Sequence, residues 1–472
     1  MSEALAPLVL PESEGRANYD SLDPLDGRYF NPEATKYLSD RSRIACQAYV
    51  EGALAHTLAD FGLCSREIAQ EIEAATHEVT AEEVYEEEAR TRHDIKALVN
   101  CIKAKISDEA KPWVHFGATS FDIISTASAL QMRLAMKEFV VPQVKSLMGV
   151  LIGHTATYAE TAQIGRTHGQ HGVPITFGFA MAEYVSRLGE SSTHLEDLTG
   201  HLQGKFSGAV GAANALNIFI DDPQEFERKL LARLDLEPAP YSTQIVPPDN
   251  TIRLLNELGV TAGIMANLGN DMRHLQRTEI NEVRERFEAG QTGSSTMAHK
   301  RNPISFENIV GLHREVVGQQ VNAMLNISSE HQRDLADSAS SRFYPTIPAL
   351  IASMAARLTK VMDKIEVDEE ALQRNLKMTE GAIAAEPFYL LLEKHGHTAA
   401  HEKSKAIAHT ARQQGISLAE AIQQDKEARQ YWDTFTKQEK AIITNPELHY
   451  TGIAAQKAHQ IADRWRDYIQ AA

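Results

Sequence analysis

The chain has 472 residues, of which 43% are hydrophobic and 24% charged, and its formal net charge is −17. This is the balance of an ordinary globular protein, and the length favours about three domains. The acidic charge argues against a general nucleic-acid binder or a protein that binds anionic membranes, because such proteins are usually basic.

The cysteines and the apolar runs indicate a cytoplasmic protein. The chain has an odd number of cysteines, namely Cys46, Cys64 and Cys101, and no C-x-x-C motif. Neither a disulfide framework nor a cysteine zinc site is therefore expected. Reduced thiols fit the cytoplasm. The segment 1–20 lacks the basic and apolar pattern of a signal peptide. No apolar run approaches the ~20 residues that a membrane helix needs.

Helical periodicity dominates the chain. Residues 41–64 and 65–88 each indicate helix, and together they indicate a smaller helical domain. After residue 367, shorter helices are expected, broken at Gly396, Gly415 and Pro446. Strand signals are few and short. Long helices, the first with an expected kink at Pro142, are predicted over 121–158, 176–202, 249–287, 304–330 and 347–365.

The stretch 249–287 carries the clearest bundle pattern. It contains no proline, and at 1.5 Å per residue it would form a helix of roughly 58 Å. Such length predicts long helices packed side by side, and packed between subunits. Apolar residues recur in steps of three or four at Ile252, Leu255, Leu258, Ala262, Met265, Leu268, Met272 and Leu275.

We therefore predict an all-α fold of three helical domains. An N-terminal helical domain would span 1–117, a central long-helix bundle 118–367, and a C-terminal helical domain 368–472.

Common catalytic motifs are absent from the sequence: it contains no Walker P-loop, G-x-S-x-G, H-E-x-x-H or G-x-G-x-x-G. The glycine-rich stretch 204–211 does not fit a P-loop and favours close backbone packing over phosphate binding. His395, His397 and His401 have a metal-like spacing but no partnering carboxylates in a known motif, so we predict no metal site.

The segment 291–308 combines a loop with a helix start. Gly293 and the serines after it are typical of a pliable loop. Asn302 and Pro303 then look like an N-cap and the first residue of a helix. The N–H groups at such a helix start favour anions, and Lys300 adds a positive charge beside them.

The residues 293–303, G-S-S-T-M-A-H-K-R-N-P, closely resemble the signature loop of the fumarase/aspartase superfamily, which usually has proline where Ala298 stands. Taken alone, each further matching segment has an ordinary structural explanation, such as a helix cap or a solvated arginine. Their order and spacing together favour the adenylosuccinate lyase branch. The pieces are D-G-R-Y at 26–29, T-R-H-D at 91–94, H-x-G-x-T-S-x-D at 115–122, T-H-G-Q at 167–170, Gln244, Q-R-D-x-x-D-S at 332–338, and Arg342.

The resemblance implies a β-elimination without metal or organic cofactor. Fumarate would leave adenylosuccinate to give AMP, and would leave succinyl-aminoimidazole carboxamide ribotide (SAICAR) to give AICAR. By this resemblance Ser294 is the base and His168 the general acid, while Glu307 orients the imidazole and Lys300 supplies positive potential. A homotetramer with active sites shared between subunits is also implied.

The same resemblance assigns the substrate-binding residues. Donors aimed at the carboxylate of the intermediate are Thr119, Ser120, Gln244, Lys300 and Asn302. The rest of the nucleotide would be bound by Arg28, Tyr29, Arg92, His93, Asp94, His115, Arg333, Ser338 and Arg342.

Two kinds of alternative stay open. One is another lyase of the superfamily, chiefly argininosuccinate lyase, or a carboxymuconate cycloisomerase. The T-R-H-D and Q-R-D-x-x-D-S segments favour a phosphorylated nucleotide over both. The other is a non-catalytic structural protein on this fold, as lens crystallins are on the argininosuccinate lyase scaffold. The presence of Ser294, His168, Lys300 and Asn302 argues against that reading.

Overall fold

The computed structural model describes residues 5–9, 23–287, 297, 300–379 and 381–471. Helix predominates in these ranges, and the strands there form three two-stranded pairs. The predicted all-α fold class is therefore confirmed. None of the helices in the described ranges is both long enough and apolar enough to span a membrane.

The N-terminal helices start at clear capping residues. Thr80 and Glu83 form a capping box in which each side chain accepts the other's backbone N–H. A new helix therefore begins at Ala81, and the stretch 65–88 forms parts of two helices rather than one. These helices are α1 (Pro32–Leu38), α2 (Asp40–Asp60), α3 (Arg66–Glu78), α4 (Ala81–Thr91) and α5 (Asp94–Lys103).

The central part holds the long helices. A π-helical turn over Met136–Val140 joins α6 to α7 immediately before Pro142, where the sequence predicts a kink. Proline has no N–H to donate, and such turns accommodate breaks in the helical ladder. The helices here are α6 (Ser120–Ala135), α7 (Val141–Thr157), α8 (Phe177–Gly200), α9 (Pro223–Ala232), α10 (Asp249–Leu275), α11 (Ile304–Leu325) and α12 (Thr346–Asp363).

The predicted seam of α10 is confirmed, but its predicted end is wrong. Every seam residue from Ile252 to Met272 is buried. The helix ends at Leu275 rather than Phe287. A turn follows in which Asn281 has a φ of 52° and the N–H of Glu282 donates to the carbonyl of Leu275, and residues 283–284 then pair with a distant strand. That pairing joins parts of the chain far apart in sequence, so helical periodicity cannot reveal it.

Mostly shorter helices follow to the C-terminus, as predicted, although the last of them has 18 residues. Gly415 caps α15 in the left-handed conformation, and Pro446 begins α19. They are α13 (Glu369–Lys377), α14 (Ala385–Lys394), α15 (Ala400–Gln414), α16 (Leu418–Gln424), α17 (Lys426–Thr434), α18 (Lys437–Thr444), α19 (Pro446–His449) and α20 (Ala454–Ala471).

The strands are short. β1 (Ala162–Thr167) and β2 (Gln170–Thr176) form an antiparallel hairpin with an irregularity between Ile164 and Arg166. The other pairs are β3 (Gln203–Gly204) with β4 (Glu237–Pro238), parallel, and β5 (Val283–Arg284) with β6 (Glu366–Val367), antiparallel.

The chain divides into two compact units. The first comprises Met1–Val144, Ser191–Gly263 and Gly311–Ala356, and the second comprises Lys145–Glu190, Ile264–Val310 and Arg357–Ala472. In the first, α2 packs against α3 and α6. In the second, helices α14 to α18 share an apolar core that includes Phe388, Leu392, Ile422 and Trp432. The three-domain division along the chain stays a prediction.

Candidate active site

His168 occupies the tip of the β1–β2 hairpin. Thr167 and Gln170 pair at the end of the two strands, and His168 and Gly169 between them have φ angles of 53° and 72°. Two successive left-handed residues make the tight turn that matches the twist of a hairpin. Histidine tolerates this conformation better than bulky or branched residues do. The turn therefore presents an exposed imidazole at a fixed place in the second unit.

The N-terminus of α11 is already capped by a side chain. One carboxylate oxygen of Glu285 accepts from the backbone N–H groups of Ser305, at 3.0 Å, and Phe306, at 3.2 Å. The side chain of Gln276 links the N–H of Glu285 to the carbonyl of Arg301. The sequence predicts that N–H groups at this helix start are free to bind an anion. For Ser305 and Phe306 this prediction is wrong, because both N–H groups donate to the Glu285 carboxylate.

Burial of Glu285 raises the pKa of its carboxyl, and the nearby charge of Glu307 adds to that rise. The hydrogen bonds from Ser305 and Phe306 oppose it, because they stabilise the ionised form.

Three predicted residues surround this helix start. Lys300 is exposed, Asn302 is half-buried, and Glu307 is exposed in the first turn of α11. The N–H of Ile304 donates to the carbonyl of Asn302 at 2.9 Å, and that of Glu307 donates to Pro303 at 2.9 Å. The helix therefore starts within one residue of the predicted position.

The predicted base Ser294 lies outside the described residues. So do the rest of 288–296, Ala298 and His299.

Thr119 and Ser120 stand at the N-terminus of α6, held there by a buried carboxylate. Asp122 accepts from the N–H of Thr119 at 2.8 Å and from the N–H of Ser207 at 3.0 Å. It also forms an ion pair with Lys205, and both side chains are fully buried. A carboxylate with this many donors fixes the backbone around it.

The glycine-rich stretch 204–211 closes around the same carboxylate. A Cβ on Gly204 would lie 2.4 Å from a methyl carbon of Leu231, and one on Gly211 would lie 2.0 Å from the carbonyl oxygen of Ser242. The N–H of Gly208 donates to Asp122 at 3.1 Å. The predicted role in close backbone packing is confirmed.

Half-buried His115 pairs with the fully buried carboxylate of Glu51 on α2. Its Nδ1 lies 2.6 Å from Oε1 of Glu51, and its backbone N–H donates to Oε2 at 3.0 Å. Burial lowers the pKa of His115, but the Glu51 carboxylate outweighs burial and the net pKa is raised. The backbone of His115 also has a positive φ of 64°. Non-glycine residues in this region are uncommon and cluster at functional sites.

The T-R-H-D residues form the junction between α4 and α5. Arg92 caps α4 with a φ of 55°, and His93 caps α5 through Nδ1, which accepts from the N–H of Lys96 at 3.3 Å. Asp94 is the first residue of α5. A surface cavity of about 510 Å³ beside this junction is lined by Tyr85, Glu88, Ala89 and Arg92.

The segment around Arg333 meets two other predicted segments in the first unit. The guanidinium lies 4.4 Å from the ring centre of Phe121, next to Ser120, and 2.9 Å from the Asp337 carboxylate. The N–H of Gln244 donates to the carbonyl of Gln332 at 3.3 Å. The structure thus brings together the predicted carboxylate donors of α6, Gln244 and Arg333.

The remaining predicted residues are at the surface of the first unit. Arg28, Ser338 and Arg342 are exposed and Tyr29 is half-buried. Arg342 lies close enough to Asp40 that its charge helps to lower the pKa of that carboxyl, against the opposing effect of burial.

The predicted residues divide between the two units. The second holds His168, Lys300, Asn302 and Glu307, and the first holds the other described ones. The buried carboxylates that hold these residues in place were not identified from the sequence. They include those of Glu51, Glu282 and Glu285, which are 1%, 0% and 3% exposed. Only Glu51 carried a local signal, as a lone acid on the apolar face of α2.

Comparison with known proteins identifies the family of the chain. A family model described as Lyase matches residues 29–318, and one described as Adenylosuccinate lyase C-terminal matches 329–439. The adenylosuccinate lyase of Archaeoglobus fulgidus is 36% identical, over 94% of this chain and 98% of the relative. That of Methanocaldococcus jannaschii is 32% identical, over 93% of this chain and 95% of the relative.

Solved structures share the fold. A fumarate lyase from Mesorhizobium sp. BNC1 superposes with a TM-score of 0.82 at 22% identity, covering 92% of this chain and 98% of that one. A 3-carboxy-cis,cis-muconate lactonizing enzyme from Pseudomonas putida gives 0.83 at 25% identity, covering 94% and 100%. From the family models and the near-full-length relatives, this chain belongs to the adenylosuccinate lyase family of the fumarase/aspartase superfamily.

Proposed function

We propose that this protein releases fumarate from adenylosuccinate, giving AMP, and from SAICAR, giving AICAR. The observation that carries the proposal is the 36% identity to an adenylosuccinate lyase across 94% of the chain. The match of residues 329–439 to the Adenylosuccinate lyase C-terminal model supports this branch over other lyases of the superfamily.

The reaction needs one base and one acid. Ser294, as the alkoxide, removes a proton from carbon, and the electron pair forms an aci-carboxylate. That intermediate collapses to fumarate as the C–N bond breaks, and the bond's electron pair leaves with the nitrogen. His168 donates a proton to that nitrogen, and Glu307 orients its imidazole. The exposed position of His168 at a rigid turn supports this role.

The developing charge lies on carboxylate oxygens, so donors aimed at them lower the barrier. Lys300 and Asn302 precede α11, and Thr119 and Ser120 start α6. Each segment is fixed by a buried carboxylate, Glu285 in the one and Asp122 in the other. Gln244 completes the proposed set.

The phosphate and purine bind to polar side chains of the first unit, most of which are arginine or histidine. His115, whose pKa the Glu51 carboxylate raises against burial, favours the protonated imidazole that a phosphate would attract. Arg333 is held by Asp337 and Phe121, yet its buried Nε has no hydrogen-bond partner among the described residues. Arg28, Tyr29, Arg92, His93, Asp94, Ser338 and Arg342 complete this proposed set.

The protein is proposed to act as a homotetramer whose subunits share active sites. Val317, Val321 and Met324 lie on one face of α11 and are 42%, 57% and 46% exposed. Val260 of α10 is 54% exposed. Exposed apolar side chains in a row mark protein interfaces, and a second copy would cover them. Sedimentation should give a tetramer, and a fully active monomer would contradict this proposal.

A cytoplasmic location and the domains 1–117, 118–367 and 368–472 also stay predictions. The three cysteines are unpaired, which agrees with a reducing compartment.

The function is tested by a substrate panel. Purified protein is mixed separately with adenylosuccinate, SAICAR, argininosuccinate and a carboxymuconate, and products are separated by chromatography. We expect fumarate with AMP or AICAR from the first two only. Turnover of argininosuccinate without turnover of adenylosuccinate would reject the assignment, and no turnover of any substrate would favour a non-catalytic protein.

A further inference from the structure

The carboxylate of Glu282 is fully buried among hydrogen-bond donors from two other segments. Gln163 donates through Nε2 at 2.8 Å and Asn375 through Nδ2 at 2.8 Å. Arg166 donates through Nη2 at 2.6 Å and through Nη1 at 3.2 Å. Both oxygens of Glu282 are thus used, and its side chain is 0% exposed.

These donors connect Glu282 to the hairpin that carries His168. Gln163 and Arg166 belong to β1, on either side of the irregularity in the hairpin, and Arg166 is two residues before His168. Glu282 itself has a fixed backbone, because its N–H donates to Leu275 at 2.9 Å and its carbonyl accepts from Asp368 at 2.9 Å. The base of the hairpin is therefore tied to a rigid point of the second unit.

The same short segment also holds the start of α11. Glu285 follows Glu282 by three residues and caps that helix through Ser305 and Phe306. Residues 282–285 thus link the hairpin of His168 to the helix of Glu307 by two buried carboxylates.

Only a carboxylate fits the position of Glu282. Both of its oxygens accept from Arg166, which has no acceptor atom, so a glutamine would place its NH₂ group against a guanidinium N–H. A donor left buried without an acceptor is costly. Buried ion pairs are weak devices for stability, and their best-attested use is to fix one arrangement. The Arg166–Glu282 pair is a largely buried ion pair of this kind, since the Arg166 side chain is 16% exposed and that of Glu282 is 0% exposed.

We propose that Glu282 is a positioning residue for the elimination reaction, which acts through Arg166 and Gln163 to hold the His168 hairpin in its reactive place. This inference rests on the proposed function in taking His168 as the general acid. Glu282 does not touch substrate.

The test compares Glu282→Gln with a matched control, Arg284→Gln. The control breaks another ion pair of the same segment, Arg284 with Asp368 at 3.1 Å, which does not involve the hairpin. We expect Glu282→Gln to lower kcat by about 10- to 100-fold with KM changed less than about threefold, because a displaced acid loses part of its roughly 10²- to 10⁴-fold contribution. Arg284→Gln should leave both within about twofold. An unchanged kcat in Glu282→Gln would overturn the proposal.

A double-mutant cycle separates this inference from the function itself. In a His168→Ala background, Glu282→Gln should cause no further loss of kcat. An equal loss in both backgrounds would show that Glu282 does not act through His168. Full activity of His168→Ala alone would instead reject the role of His168 in the proposed function.

A milder variant covers the case in which Glu282→Gln fails to fold. Gln163→Met removes one donor and leaves the Arg166–Glu282 pair intact. It should lower kcat measurably, again only when His168 is present. Partial recovery in Glu282→Asp is also expected, since a carboxylate is retained, and a loss as large as that of Glu282→Gln would contradict the argument.

Discussion

Replacing Glu51 with glutamine should weaken binding of the substrate phosphate. The Glu51 carboxylate lies 2.6 Å from Nδ1 of His115 and also accepts the backbone N–H of His115 at 3.0 Å. It raises the pKa of His115 against burial, and the charge of Asp122 helps while that of Lys103 opposes. Glutamine removes the main cause of the rise and leaves burial, which lowers the pKa. The imidazole would then lose its proton at a lower pH.

The magnitude follows from the kind of bond that is lost. A hydrogen bond to a charged group contributes about 1.5–3 kcal/mol. Because 1.4 kcal/mol corresponds to a factor of ten, KM should rise about 10- to 100-fold near neutral pH. We expect kcat to change less than about threefold, since His115 is placed at the phosphate rather than at the reacting carbon.

The direction in which KM changes with pH follows from the raised pKa of His115. In the wild type, protonated His115 contributes fully to phosphate binding and to stability at pH values below the pKa of an unfolded histidine. This contribution is lost as pH rises through the raised pKa of His115. In Glu51→Gln, the rise of KM should begin at a lower pH.

The assay is steady-state kinetics with adenylosuccinate between about pH 6 and 9, a range that brackets the ordinary histidine pKa. The matched control is Glu73→Gln, which removes the carboxylate 2.8 Å from His56, a buried histidine on α2. The control should leave KM unchanged. If Glu51→Gln also leaves KM and its pH dependence unchanged, the reasoning about His115 is refuted.

Four further substitutions have definite expected outcomes. Ser294→Ala should abolish measurable turnover and His168→Ala should lower kcat by roughly 10²- to 10⁴-fold, while sedimentation still gives the wild-type assembly; near-normal turnover in either would reject that residue's role. Lys205→Met should lower the free energy of unfolding in urea by about 3–5 kcal/mol, because it leaves Asp122 buried without its cation; a change below about 1 kcal/mol would show that the pair is not needed. Val321→Asp should dissociate the oligomer in sedimentation, since it places a charge on the exposed apolar face of α11; an unchanged mass would place the interface elsewhere.

The long helices could be predicted because their signal is local. The apolar steps along α10 follow the helical period, and the structure buries that face from Ile252 to Met272. The end of α10 could not be predicted in the same way. The residues that follow it form a strand in which Val283 pairs with Val367, a contact between distant parts of the chain. The β1–β2 hairpin was missed because its turn, His168-Gly169, lacks the asparagine or aspartate that usually marks such turns.

The motif residues of the candidate site were predicted from their resemblance to a family, but their supporting partners were not. The partner lies 64 residues away for His115 and Glu51, 83 for Lys205 and Asp122, and 116 for Arg166 and Glu282. No periodicity or short motif connects residues so far apart. These partners become visible only when folding places a carboxylate among donors.

The central claim is that this chain cleaves adenylosuccinate by an acid–base elimination. Its most direct test is the product stoichiometry of wild type and Ser294→Ala with adenylosuccinate. We expect one fumarate for each AMP from the wild type and neither product from the variant. Absence of fumarate with the wild type, or equal yields from both proteins, would contradict it.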